Sequence, residues 1–156
     1  MLNINIIAMG DIKEKFYVDA INEYLKRLTR FANVKIIELN EHVPTSNSQK
    51  DIQIALKKDA VEIEKHLKGY TIALDINGKM LSSVELANKI DNLSLSTSEI
   101  TFIIGASNGI AEDIKLKCNE KISFSKMTFP HQLMRVIFLE QLYRSFTIIK
   151  NIAYHK

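Results

Sequence analysis

Ile100-Thr101-Phe102-Ile103-Ile104-Gly105-Ala106-Ser107-Asn108-Gly109 is a β-branched, aromatic run that breaks directly into a glycine-bearing turn. A short apolar run bounded by glycine reads as a buried strand. The stretch 110–117 beyond the turn reads as a short helix, which makes the whole a strand–turn–helix unit. Working outward, strands are expected at 3–8, 33–39, 70–75 and 121–124. Helices are expected at 12–30, 50–67, from Ser82 to about Asn92, and from Pro130 to about Lys150. Strand–helix alternation of this kind predicts an α/β domain with a mostly parallel sheet.

The helices show themselves by periodicity. Ile12, Phe16, Ala20, Tyr24 and Leu28 recur every fourth residue and are expected to share one face, as are Ile52, Leu56, Ala60, Ile63 and Leu67. Ser82-Ser83-Val84-Glu85 has capping-box spacing. Pro130 sits where a first-turn proline belongs. Between the second strand and second helix, Asn40–Gln49 is rich in small polar residues and proline, the composition of a mobile loop. Asn77-Gly78 reads as a turn ending the third strand.

The chain has 156 residues, the length of one domain over 1–156. Its 46% apolar and 25% charged residues exclude disordered and low-complexity classes for most of it. One cysteine, Cys118, excludes a disulfide-stapled fold and makes a reducing cytoplasm the expected compartment. The first residues alternate like a strand rather than a leader, and no apolar run approaches a membrane span. A single cysteine and four dispersed histidines give no metal-ligand spacing, so no metal is expected.

Charge is unevenly distributed. Residues 1–113 carry 13 Lys/Arg against 16 Asp/Glu, whereas 114–156 carry 8 against 2. The last 43 residues are a basic segment on a slightly acidic body. It is either a solvated face or a face that meets a polyanion.

In parallel α/β sheets ligands bind beyond the carboxyl ends of strands. That rule selects three places: after Leu74, at Gly105–Gly109, and at Phe124–Pro130. The glycine turn lets a ligand approach the backbone, but it is neither a P-loop nor a dinucleotide fingerprint. The segment Phe124-Ser125-Lys126-Met127-Thr128-Phe129-Pro130-His131 alternates small hydroxyl and apolar residues, offering backbone hydrogen bonds between apolar walls. It is equally a plain β–α connection capped by Thr128. On the last helix His131 and Arg135 are one turn apart and share a face, and Arg144, nine residues on, is expected near that face too. The ending Tyr154-His155-Lys156 is either a frayed end or a tail that folds over a site or a partner subunit.

Four segments occur together and in order: Ile104 to Gly109, Phe124 to His131, Arg135 with Glu140-Gln141-Leu142-Tyr143-Arg144, and Ala153 to Lys156. With them the chain resembles, over essentially its whole length, the ribosomal RNA large subunit methyltransferase H family of SPOUT-class enzymes. The resemblance implies an α/β knot fold with a C-terminal trefoil knot, a homodimer, and S-adenosylmethionine as methyl donor. It implies an acceptor at N3 of a pseudouridine in 23S rRNA, presented by the assembled 70S ribosome. Matching the family's motifs position by position, cofactor contacts fall to Leu74, Gly105, Phe124, Ser125, Lys126, Met127, Thr128 and Phe129. The family usually has a second glycine where this chain has Ala106. If that position needs a positive φ, alanine is strained there.

That reaction asks the imide N3 to lose a proton before it attacks. The expectation gives His131 or His155 the proton and Arg135 the developing anion or a phosphate. Arg144, Tyr154 and Lys156 would hold RNA, with one chain's tail completing the other's pocket. Two rivals stand beside it: a non-catalytic ribosome-binding module, and a SPOUT enzyme acting on another RNA.

Overall fold

The computed structural model describes residues 1–156. Five strands alternate with five helices: β1 (Leu2–Met9), α1 (Lys15–Leu28), β2 (Ala32–Leu39), α2 (Gln49–Glu64), β3 (Tyr70–Met80), α3 (Ser83–Ser94), β4 (Glu99–Ile104), α4 (Glu112–Lys117), β5 (Glu120–Ser123) and α5 (His131–Ile149). All pairings are parallel, and the sheet order is β2-β1-β4-β3-β5. This is the expected α/β architecture.

Strand alternation divides the core in two. Ile4, Ile6, Phe102, Ile104 and Ile72 point to one face, where Leu86, Ile90, Phe138, Leu142 and Phe146 of α3 and α5 cover them. Ile7, Met9, Ile103 and Ala73 point to the other, against Leu56, Ile63, Ile110 and Ile114. Both faces are covered, so the strands read as continuous apolar runs.

Local details depart from the expectation in instructive ways. Helix α1 is shorter than 12–30, and Phe16 is 66% exposed; Ile21 and Leu28 form the buried stripe. At 3.6 residues per turn, a strict four-residue spacing precesses by about 40° per step, so Phe16 and Leu28 cannot share one face. Strand β3 does not stop at Asp75. Its pairing with β5 shifts between Leu74 and Lys79 and then resumes, so Asn77-Gly78 lies in a bulge within the strand, not in a chain reversal. A Cβ on Gly78 would come 2.7 Å from the Ile122 backbone, which is why glycine stands there.

The capping box on α3 is formed as expected: Ser82 accepts from the Glu85 N–H, and the Glu85 side chain accepts from the Ser82 N–H. Pro130 is the N-cap of α5 rather than its first turn, and no side chain, Thr128 included, caps that end. The segment expected to be mobile, 40–49, is fastened at both ends. The His42 N–H donates to Asp59 Oδ1 at 2.9 Å and its ring Nδ1 lies 2.7 Å from the same atom, while Ser48 caps α2.

Candidate active site

Because β4, β3 and β5 are neighbours, their carboxyl ends lie side by side. The three connections chosen from the sequence therefore meet over one cleft of about 420 Å³. Its floor is apolar, with Leu74, Ile104, Ile122 and Phe124. The bulge of β3 supplies Ile76 and Asn77, the glycine turn supplies Gly105 to Gly109, and the loop after β5 supplies Ser125, Met127, Thr128 and Phe129.

The glycine turn is shaped by space rather than by a left-handed backbone at its start. A Cβ on Gly105 would stand 2.7 Å from the Gly109 carbonyl carbon and 2.8 Å from the Ile110 side chain. The turn folds back through the Gly109 N–H donating to the Ala106 carbonyl at 2.9 Å. The positive φ falls at Gly109, and among non-glycine residues only Asn151 has one. Ala106 is thus unstrained, and the alanine in place of a usual glycine leaves the turn intact.

The loop after β5 is held by its own hydroxyls. Ser123 Oγ donates to the Ser125 carbonyl at 3.1 Å, and the Met127 N–H donates to Ser125 Oγ at 3.0 Å. This keeps the backbone of 124–129 along the cleft, with Met127 74% exposed at its rim. Of the residues the resemblance marks for the cofactor, all line the cleft except Lys126, which is exposed to solvent.

The titratable groups lining the cleft are Asp75, Lys115 and His131. Sequence reasoning passed over Asp75 and Lys115. The one signal was that Asp75 is the first polar residue after a buried strand; Lys115 gave none. Burial works against the Lys115 charge, but hydrogen bonding to Glu112 and the charge of Asp75 outweigh it and hold its pKa above the usual value.

Arg135 does not reach the cleft. It is 2% exposed and turns toward the ends of β1 and β2, with Nη1 2.5 Å from Glu38 Oε2 and Nη2 donating to the Gly10 carbonyl at 3.0 Å. Arg144 leaves the helix on another side, because nine residues are two and a half turns and carry a half rotation. It pairs with Glu140 and lies over the Tyr154 ring, 4.8 Å from its centroid.

The tail folds back on α5. Asn151 adopts a left-handed conformation, and the Ile152 N–H donates to the Thr147 carbonyl at 2.8 Å, closing the helix end. Tyr154 packs edge-on against Tyr143, its hydroxyl donates to Glu140 at 3.1 Å, and His155 Nδ1 lies 3.1 Å from Arg144. His131 and Arg144 are thirteen residues apart on α5, or about 20 Å along the axis. Within one chain, then, His131 and His155 belong to opposite ends of the helix.

A parallel α/β sheet whose last strands gather their loops into one such cleft is the frame of an α/β protein that binds its ligand beyond the strand ends. The family model described as "Predicted SPOUT methyltransferase" matches residues 2–155, and the chain belongs to this family. Its relatives include proteins named ribosomal RNA large subunit methyltransferase H. The one from Alkaliphilus oremlandii is 49% identical, over 99% of this chain and 100% of its own length. The one from Caldicellulosiruptor saccharolyticus is 47% identical, over 98% of this chain and 99% of its own. Among solved structures, a methylase family protein from Haemophilus influenzae Rd KW20 has a TM-score of 0.51 at 12% identity, covering 96% of this chain and 66% of that one, and so shares the fold.

Proposed function

We propose that this protein transfers a methyl group from S-adenosylmethionine to N3 of a pseudouridine in 23S rRNA of the assembled 70S ribosome. It would do so as a knotted homodimer in the cytoplasm. The observation that carries the reading is the convergence of the three connections of β3, β4 and β5 on one cleft, in a SPOUT-family chain. The residues fit the donor: an apolar floor for adenine and backbone along 124–129 for its polar edge, beside a turn whose tight fold requires glycine at 105.

When bound, S-adenosylmethionine supplies a methyl already activated on sulfonium, so positioning does most of the work. The chain's task is to hold the acceptor in line and take its proton. His131 is the imidazole at the cleft and the base we assign. Arg135 acts as a positioning residue: it ties α5, one turn beyond His131, to the ends of β1 and β2. His155, Tyr154, Arg144 and Lys156 serve the partner's cleft across the dimer, since they stand too far from their own. Net charge is only +3, so naked RNA should bind weakly and the shaped ribosomal surface supplies recognition.

The test uses methyl-labelled S-adenosylmethionine with undermethylated ribosomes, free large subunits and protein-free 23S rRNA. Label on pseudouridine with assembled ribosomes alone is the expected result. Cofactor binding without label in any of these RNAs would mean that the substrate is wrong.

A further inference from the structure

Asp75 and Lys115 carry the cleft's one carboxylate and its one ammonium group. Lys115 stands on α4 just beyond the glycine turn, and Asp75 follows Leu74 in β3. The Lys115 Nζ lies 2.8 Å from Glu112 Oε1 but 3.4 Å from Asp75 Oδ2. The Glu112 side chain is 72% exposed, whereas those of Lys115 and Asp75 are 12% and 14% exposed. Glu112 therefore steadies the lysine from the surface side, while the looser Asp75–Lys115 couple lies along the cleft wall.

A loose pair of opposite charges beside an apolar floor is the complement of an amino-acid zwitterion. An ammonium group can donate to Asp75 while a carboxylate accepts from Lys115, each bond charge-assisted. The partial burial of both side chains makes such bonds stronger than they are in open solvent.

We propose that Asp75 and Lys115 bind the amino-acid end of the methyl donor, its ammonium on Asp75 and its carboxylate on Lys115. The assignment rests on the cofactor reading above. It places the nucleoside on the apolar floor toward Phe124–Phe129, and it separates the recognition of the two halves of the molecule.

The test compares two ligands by titration calorimetry on the full chain. S-adenosylhomocysteine has the complete amino-acid end; 5′-methylthioadenosine lacks it. Lys115→Met and Asp75→Asn should each weaken S-adenosylhomocysteine by about tenfold or more, with 5′-methylthioadenosine unchanged. Lys117→Met, at an exposed lysine of α4 that pairs with Glu64 and does not line the cleft, should alter neither. A parallel loss of both ligands in Lys115→Met and Asp75→Asn would show that the pair only braces α4 against β3, and no change in either ligand would show that it faces solvent; both overturn the proposal. Failure of the unmodified protein to bind either ligand would instead overturn the cofactor reading beneath it.

Discussion

The guanidinium of Arg135 spans from α5 to Glu38 at the end of β2, with Nη1 to Oε2 at 2.5 Å, and its second amino group meets the Gly10 carbonyl at 3.0 Å. Arg135 is buried, while Glu38 is 48% exposed. The pair joins the helix that carries His131 to the far half of the sheet. Replacing Arg135 with Ala removes the tie and opens a void, at a cost of about 2–4 kcal/mol. Turnover should fall sharply while S-adenosylhomocysteine affinity changes little, because Arg135 does not line the cleft. Urea unfolding, calorimetry and methyl transfer on the same preparation check the three parts. Unaltered turnover would remove Arg135 from the mechanism.

Gly105 and Ala106 are neighbours with opposite demands. Gly105→Ala would drive a Cβ to 2.7 Å from the Gly109 backbone, so the turn must move. Overpacking of this kind costs about 1–3 kcal/mol, and cofactor affinity should drop by at least tenfold as the cleft's edge shifts. Ala106 has no positive φ, so Ala106→Gly should leave affinity unchanged and lower stability slightly through chain entropy. Calorimetric titration with thermal melts on both variants tests this; equal behaviour of the two would contradict the spatial account.

Element order and three cleft-forming loops were legible because each has a local cause. Ile100–Ile104 is too apolar to lie outside a sheet, Ser82 and Glu85 have the spacing of a cap, and glycine ends strands. The path of β3 was not legible. Asn77-Gly78 has turn chemistry, and only the proximity of Ile122 converts it into a bulge. The roles of α5 side chains were hidden for a different reason. Arg135 looks like a helix-face cation, but its partner is Glu38, ninety-seven residues away. Asp75 and Lys115, forty residues apart, likewise meet only through the fold. Burial of Asp59 beneath His42 left no mark in a helix pattern that placed only apolar residues inside.

Cys118 follows α4 and is half-buried. Burial pushes its thiol pKa up, and hydrogen bonding to Thr71 opposes this only in part. The thiolate is the reactive form, so the native protein should react with iodoacetamide far more slowly than the guanidinium-unfolded chain at neutral pH. Mass spectrometry of the alkylated product over time measures the ratio. Native labelling as fast as unfolded labelling would show an open, ionised thiol that burial does not keep protonated.

Two tyrosine hydroxyls donate to carboxylates, and this makes the stability of the fold depend on alkaline pH. The Tyr70 hydroxyl donates to Glu120 at 2.6 Å, and that bond, with burial, lifts its pKa to about 12. At Tyr154 burial leads, followed by the hydrogen bond to Glu140, and its pKa also rises to about 12. Each folded value lies above the unfolded value of 10.0. The folded state thus favours the neutral phenol, and the stabilisation is complete below pH 10. It is lost as pH rises from there through about 12, where both states bear phenolate and the charge faces a carboxylate. Unfolding midpoints should therefore decline across that interval, and less steeply in Tyr70→Phe and Tyr154→Phe. In a spectrophotometric titration of the folded chain, the double variant should lack the phenolate absorbance that develops near pH 12. If the absorbance persists there, these two hydroxyls do not hold their protons as the hydrogen bonds require, and the anchoring of the tail to Glu140 through Tyr154 fails with it.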